Sequence, residues 1–127
     1  MKFFFALFLV AAPAFAVADP VEGVWKTQPD RKDLVSHIQV SQCGTKICGT
    51  VLKAFDLSGK EVKTPNIGKH LFWDMEAAGG EKYGNGVVQV ASLNMKARAT
   101  MELNGNNLRV TGCKGPACYG QTWSRLK

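Results

Sequence analysis

Between Met95 and Leu103 every second residue is apolar. Met95, Ala97, Ala99, Met101 and Leu103 fall on one side, and Lys96, Arg98, Thr100 and Glu102 on the other. A period of two marks extended chain with one buried face, because successive side chains of a strand point to opposite faces. Asn104-Gly105-Asn106-Asn107 follows, a run that tolerates positive φ and favours a tight hairpin. A second alternating run comes next, with Leu108 and Val110 against Arg109 and Thr111. Upstream, Leu34, Ser36, Ile38 and Val40 alternate with Val35, His37, Gln39 and Ser41. The pattern predicts eight strands, near residues 22–26, 34–43, 47–55, 70–75, 86–92, 95–103, 107–113 and 118–126. Mostly short connections favour neighbouring antiparallel strands in a meander. Residues 56–69 read as a longer polar loop, and Trp73 to Lys82 as at most a helical turn stopped by Gly79-Gly80. Closing the meander removes its exposed edges, and eight strands leave an interior that side chains fill or that holds one small ligand. The expected fold is all-β: an eight-stranded antiparallel up-and-down barrel.

The first eighteen residues have another character. Lys2 is followed by the apolar run Phe3 to Val10 and by the small-residue stretch Ala11 to Ala18. Two A-x-A patterns overlap there, Ala14-Phe15-Ala16 and Ala16-Val17-Ala18. This reads as a cleavable signal peptide, because the apolar run falls short of the ~20 residues of a membrane span. Asp19 opens a polar composition, so cleavage is expected after Ala18, with Ala16 the alternative. The division is then 1–18 signal peptide and 19–127 one barrel domain, periplasmic or secreted and not membrane-spanning. Cleavage removes Lys2 and no acid, lowering the formal charge from +6 to +5. A modest positive charge suits an anionic envelope surface. The basic residues are scattered rather than gathered in a stripe, which speaks against nucleic acid.

Four cysteines follow a repeated C-x4-C spacing, Cys43 with Cys48 and Cys113 with Cys118. Export places them where disulfides form and persist. Each interval looks like a hairpin tip, so of the three connectivities the two local ones are favoured. In the loop-entropy account each short bridge stabilises by about 2 kcal/mol. A four-thiolate zinc site fits less well, since structural zinc cysteines more often come as C-x2-C.

Reactive groups are sparse. His37 and His70 are the only histidines, one on the polar face of a strand and one after a loop. Nothing sets the separation of Asp56, Asp74 and Glu76, no serine sits in a G-x-S-x-G elbow, and no glycine run cradles phosphate. No enzyme, cofactor or metal is expected. The inward face Met95, Ala97, Ala99 and Met101 is more informative. Small residues and flexible methionines there are candidates to line a cavity for a small hydrophobic guest. The competing expectation is that Phe55, Phe72, Trp73 and Trp123 fill the space and make an envelope-associated protein with a solid core.

The ends of the chain carry Gly23-Val24-Trp25 and Gln121-Thr122-Trp123-Ser124-Arg125. A G-x-W on the first strand with an arginine on the last resembles the signature of lipocalin-type barrels. Closure makes those strands neighbours, and Arg125 over Trp25 then contributes a cation–π contact of ~1–2 kcal/mol when partly desolvated. Gly23 to Thr27, Cys43-Gly44, Ile47-Cys48-Gly49, Leu108 to Cys113 and Gln121 to Arg125 together resemble the bacterial domain-of-unknown-function family numbered twenty-one forty-seven. That resemblance implies an exported lipocalin-like barrel without a settled activity. The middle departs from the family pattern at Thr64-Pro65-Asn66 and Tyr83-Gly84-Asn85-Gly86, where a ligand mouth is expected, so no ligand is implied.

Overall fold

The alternating segments do pair. In the computed structural model, which describes residues 18–90 and 94–127, the strands are β1 (Gly23–Lys26), β2 (Val35–Cys43), β3 (Lys46–Phe55), β4 (Glu61–Val62), β5 (His70–Gly79), β6 (Lys82–Val90), β7 (Met95–Asn104), β8 (Asn107–Lys114) and β9 (Ala117–Arg125). The leader reading of residues 1–17 and the far end of the strand expected at 86–92 lie outside the described residues.

Each of β1–β2, β2–β3, β5–β6, β6–β7, β7–β8 and β8–β9 is an antiparallel pair, and β3 pairs directly with β5. The ring closes where β1 meets β9, with Trp25 opposite Arg125 and Lys26 opposite Ser124. The result is a closed, eight-stranded, antiparallel up-and-down barrel. The two-residue β4 lies outside the ring, against Ala54 and Phe55 of β3. It falls within the stretch 56–69 that the sequence reads as loop.

Among the described residues there is no helix, and the turn expected within Trp73–Lys82 is instead a strand-to-strand hairpin. The cause is a bulge. Asp74 adopts φ 56°, and the β3–β5 register slips between Ile47 opposite Met75 and Gly49 opposite Phe72. An extra residue in one strand breaks the period of two without ending the strand. Asn85, at φ 58°, does the same in β6, where the register with β7 shifts between Tyr83 and Gly86.

The interior is filled unevenly along the barrel axis. Trp25, Ile38, Phe72, Met75, Ala99, Met101, Leu103 and Leu108 pack as one buried cluster. Gly49 makes this possible: a Cβ there would come within 2.4 Å of the Phe72 ring. Beneath the cluster the segment before β1 crosses the end of the barrel and buries Val21 completely. That end also carries the β2–β3 hairpin with the Cys43–Cys48 disulfide. The β8–β9 hairpin, with the Cys113–Cys118 disulfide, stands at the opposite end.

Candidate functional site

The strand β7 runs from the open end to the filled end, so its inward residues differ in height. Met95 and Ala97 face a cavity of about 340 Å³ at the mouth. Ala99 and Met101, grouped with them by periodicity, lie deeper, in the buried cluster rather than on the cavity wall. The space at the mouth arises because side chains there are short. Ala97, Gly112 and Ala117 line it, and a Cβ on Gly112 would come 2.9 Å from Val88 Cγ1. Leu71, Val88, Val110 and Trp123 complete the apolar surface. The aromatics divide accordingly. Phe72 and Trp123 are in the core with ring centroids 6.1 Å apart. Phe55 packs on His37 at 4.6 Å, and Trp73 lies under the Lys96 ammonium at 5.4 Å.

One wall is polar but largely self-satisfied. Gln121 Oε1 accepts from Trp123 Nε1 at 3.0 Å, and Gln28 Oε1 accepts from the Thr122 N–H at 2.8 Å. Polar groups that already have partners add little demand for a polar guest. The rim is different. Arg31 and Lys114 line the opening, and among the described residues neither forms a salt bridge. Asp30 is also at the rim, but its Oδ1 accepts from the N–H groups of Lys32 and Leu34, which pins the loop after β1. Tyr119 stands beside the opening, 66% exposed.

Trp25 and Arg125 are at the other end. The guanidinium carbon lies 4.3 Å from the indole centroid. The same guanidinium donates to the carbonyls of Glu22 at 3.0 Å and Pro20 at 2.6 Å, while Trp25 Nε1 donates to the Val21 carbonyl at 2.9 Å. Gly23 is required between them, because a Cβ would meet the Lys127 carbonyl at 2.4 Å. Thr64-Pro65-Asn66 and Tyr83 to Gly86, the departures expected near a ligand mouth, do not line the cavity. Tyr83 is instead at the filled end, donating its hydroxyl to Asp19 Oδ1, and burial is the first cause that pushes its phenol pKa well up.

The remaining reactive groups are dispersed. Burial, then the nearby Lys53 and Lys26 charges, lower the His37 pKa. His70 has one ring nitrogen within 4.8 Å of the Cys43 and Cys48 sulfurs, but the disulfide consumes both thiolates. Asp56 folds back on Ser58 and Lys60, and Glu76 pairs with Lys46 and accepts from Asn85. These carboxylates form no pair. Leu71, Val88, Gly112, Arg31 and Lys114 escaped sequence reasoning. Only Val88 with Val90 carried a signal, as an alternating apolar pair.

A closed meander of eight strands, filled at one end and hollow at the other, defines a lipocalin-like barrel. Residues 23–125 match the family described as "Uncharacterized protein conserved in bacteria (DUF2147)", and the chain belongs to that family. Among solved structures it is similar to that reported as "Protein HP1028 from the human pathogen Helicobacter pylori belongs to the lipocalin family". The two share 17% identity over 87% of this chain and 85% of the other, with a TM-score of 0.68. No curated protein matches the chain.

Proposed function

We propose that the protein is exported, periplasmic or secreted, and binds a small hydrophobic or amphiphilic molecule at the mouth of its barrel without transforming it. The observation that carries this reading is the cavity of about 340 Å³, with its short-chain apolar wall beneath a rim holding Arg31 and Lys114. That volume falls at the small end of the ~300–1,000 Å³ typical of ligand sites. An apolar body would replace water against Leu71, Val88, Met95 and Ala97, and a polar or anionic head would remain at the rim. The lipocalin-like fold supports the same reading, because an eight-stranded barrel can hold one small ligand. The solid-core alternative describes the filled end, but it gives no account of the space at the mouth.

Ala97→Phe tests the proposal. The parent protein should bind an anionic apolar fluorophore such as anilinonaphthalene sulfonate in the cavity, and the variant should lose at least about tenfold in affinity. Because the ring enters existing space, stability should change by less than ~1 kcal/mol, against the ~1–3 kcal/mol of an overpacked core. A parent that binds no probe, together with a variant destabilised in that upper range, would reject the binding reading.

A further inference from the structure

The segment before β1 is held more tightly than a connecting stretch requires. The Asp19 backbone nitrogen donates to Glu22 Oε2 at 2.7 Å, and the Asp19 carbonyl accepts from the Glu22 N–H at 2.9 Å. Asp19 Oδ1 accepts from the Val21 N–H at 2.9 Å and from the Tyr83 hydroxyl of β6. Val21 is fully buried, its carbonyl taken by Trp25, and Arg125 from β9 holds the carbonyls on either side of it. Ala18, immediately before this group, is exposed. A carboxylate is therefore aimed at one backbone nitrogen, and that nitrogen directly follows an A-x-A pattern.

We propose that the chain is processed between Ala18 and Asp19, and that the freed α-ammonium of Asp19 forms an ion pair with Glu22 that locks the filled end of the barrel. The processing enzyme is a leader peptidase that reads small residues, here Ala16 and Ala18. Hydrolysis consumes one water, breaks the Ala18–Asp19 peptide bond, leaves a carboxylate on Ala18 and places the protonated amine on Asp19. One amide N–H facing Glu22 becomes a charged group with three donors, and charge-assisted bonds are about twice as strong as neutral ones. A cut after Ala16 would instead carry the ammonium two residues farther along the chain, up to about 7 Å away, and leave Asp19 a neutral amide. The geometry thus chooses between the two overlapping patterns. The other charges nearby do not compete for Glu22. Lys46 and Glu76, which share a surface groove with Asp19, pair with each other, and Arg125 is engaged by carbonyls and the indole.

The full precursor, expressed with export, should yield a mature protein whose intact mass corresponds to residues 19–127, with both disulfides formed. A mass that begins at Val17 overturns the proposal. Thermal midpoints then test the ion pair. Retaining Ala18, which keeps the Asp19 nitrogen a neutral amide and moves the ammonium one residue away from Glu22, should lower the midpoint by about 3–5 °C. Glu22→Gln should lower it by the same amount, and the two changes together by no more than either alone. Near-UV circular dichroism checks that each protein keeps its native packing. Unchanged midpoints, or losses that simply add, overturn the ion pair even where cleavage falls after Ala18.

Discussion

Removing the indole of Trp25 should be among the most damaging single changes available to this protein. The side chain is fully buried in the cluster at the filled end and donates to the Val21 carbonyl at 2.9 Å. Trp25→Ala empties that volume at a cost of about 3–5 kcal/mol, and leaving the carbonyl without its donor adds about 1 kcal/mol. A domain of this size is stable by only ~5–15 kcal/mol, so the alanine variant should stand near the edge of folding. The interaction with Arg125 is better isolated by gentler changes. Trp25→Leu keeps apolar volume in the cluster but removes both the aromatic face under the guanidinium and the N–H. Arg125→Lys keeps the charge but loses the planar stack and one of its two carbonyl contacts, for a loss of about 1–2 kcal/mol. With the guanidinium 4.3 Å from the indole centroid and only half-buried, the coupling energy should be about 1 kcal/mol. Urea unfolding of the four proteins, followed by far-UV circular dichroism, yields the cycle. Independent sites add within about 0.3–0.5 kcal/mol, so a coupling inside that band would refute the claim that this pair clasps the first strand to the last.

Two further predictions follow from particular contacts. The His37 pKa is lowered from its usual 6.5 by burial and by Lys53 and Lys26, so the folded state resists protonation there. Stability is therefore fully present above that value and lost as pH falls toward the lowered pKa. His37→Gln should flatten the fall in urea midpoint between about pH 7.5 and about pH 5.5, and an equally steep fall in the variant would contradict the assignment. Replacing Cys113 and Cys118 together by serine should cost about 2 kcal/mol in the loop-entropy account. A non-reduced peptide joining the Cys43 region to the Cys113 region would contradict the local pairing itself.

Much of the barrel was legible because its signal is local. Met95 to Leu103 alternates without interruption and meets β8 in unbroken register from Arg98 opposite Cys113 to Asn104 opposite Asn107. Legibility failed where one residue is out of step. Asp74 and Asn85, both at positive φ, hide the continuation of β5 to Gly79 and the start of β6 at Lys82. A two-residue strand such as β4 is too short to show a period at all. The site was legible by face but not by height. Periodicity places Met95, Ala97, Ala99 and Met101 on one side of a strand, whereas what separates cavity from core is how far down the axis each lies. That depends on neighbours such as Gly112 and Val88, brought close only by closure of the ring. Arg31 and Lys114 had no pattern to mark them, since a rim is assembled from loop ends distant in sequence.

Whether the mouth holds a ligand is decided most directly by native mass spectrometry of the protein, expressed from its full sequence and purified without organic solvent or detergent. A population carrying one bound small molecule is expected, released as the protein is activated in the gas phase and absent from Ala97→Phe prepared identically. Parent protein that is uniformly empty, and that stays empty when offered a series of anionic amphiphiles small enough for the cavity, would contradict the binding reading.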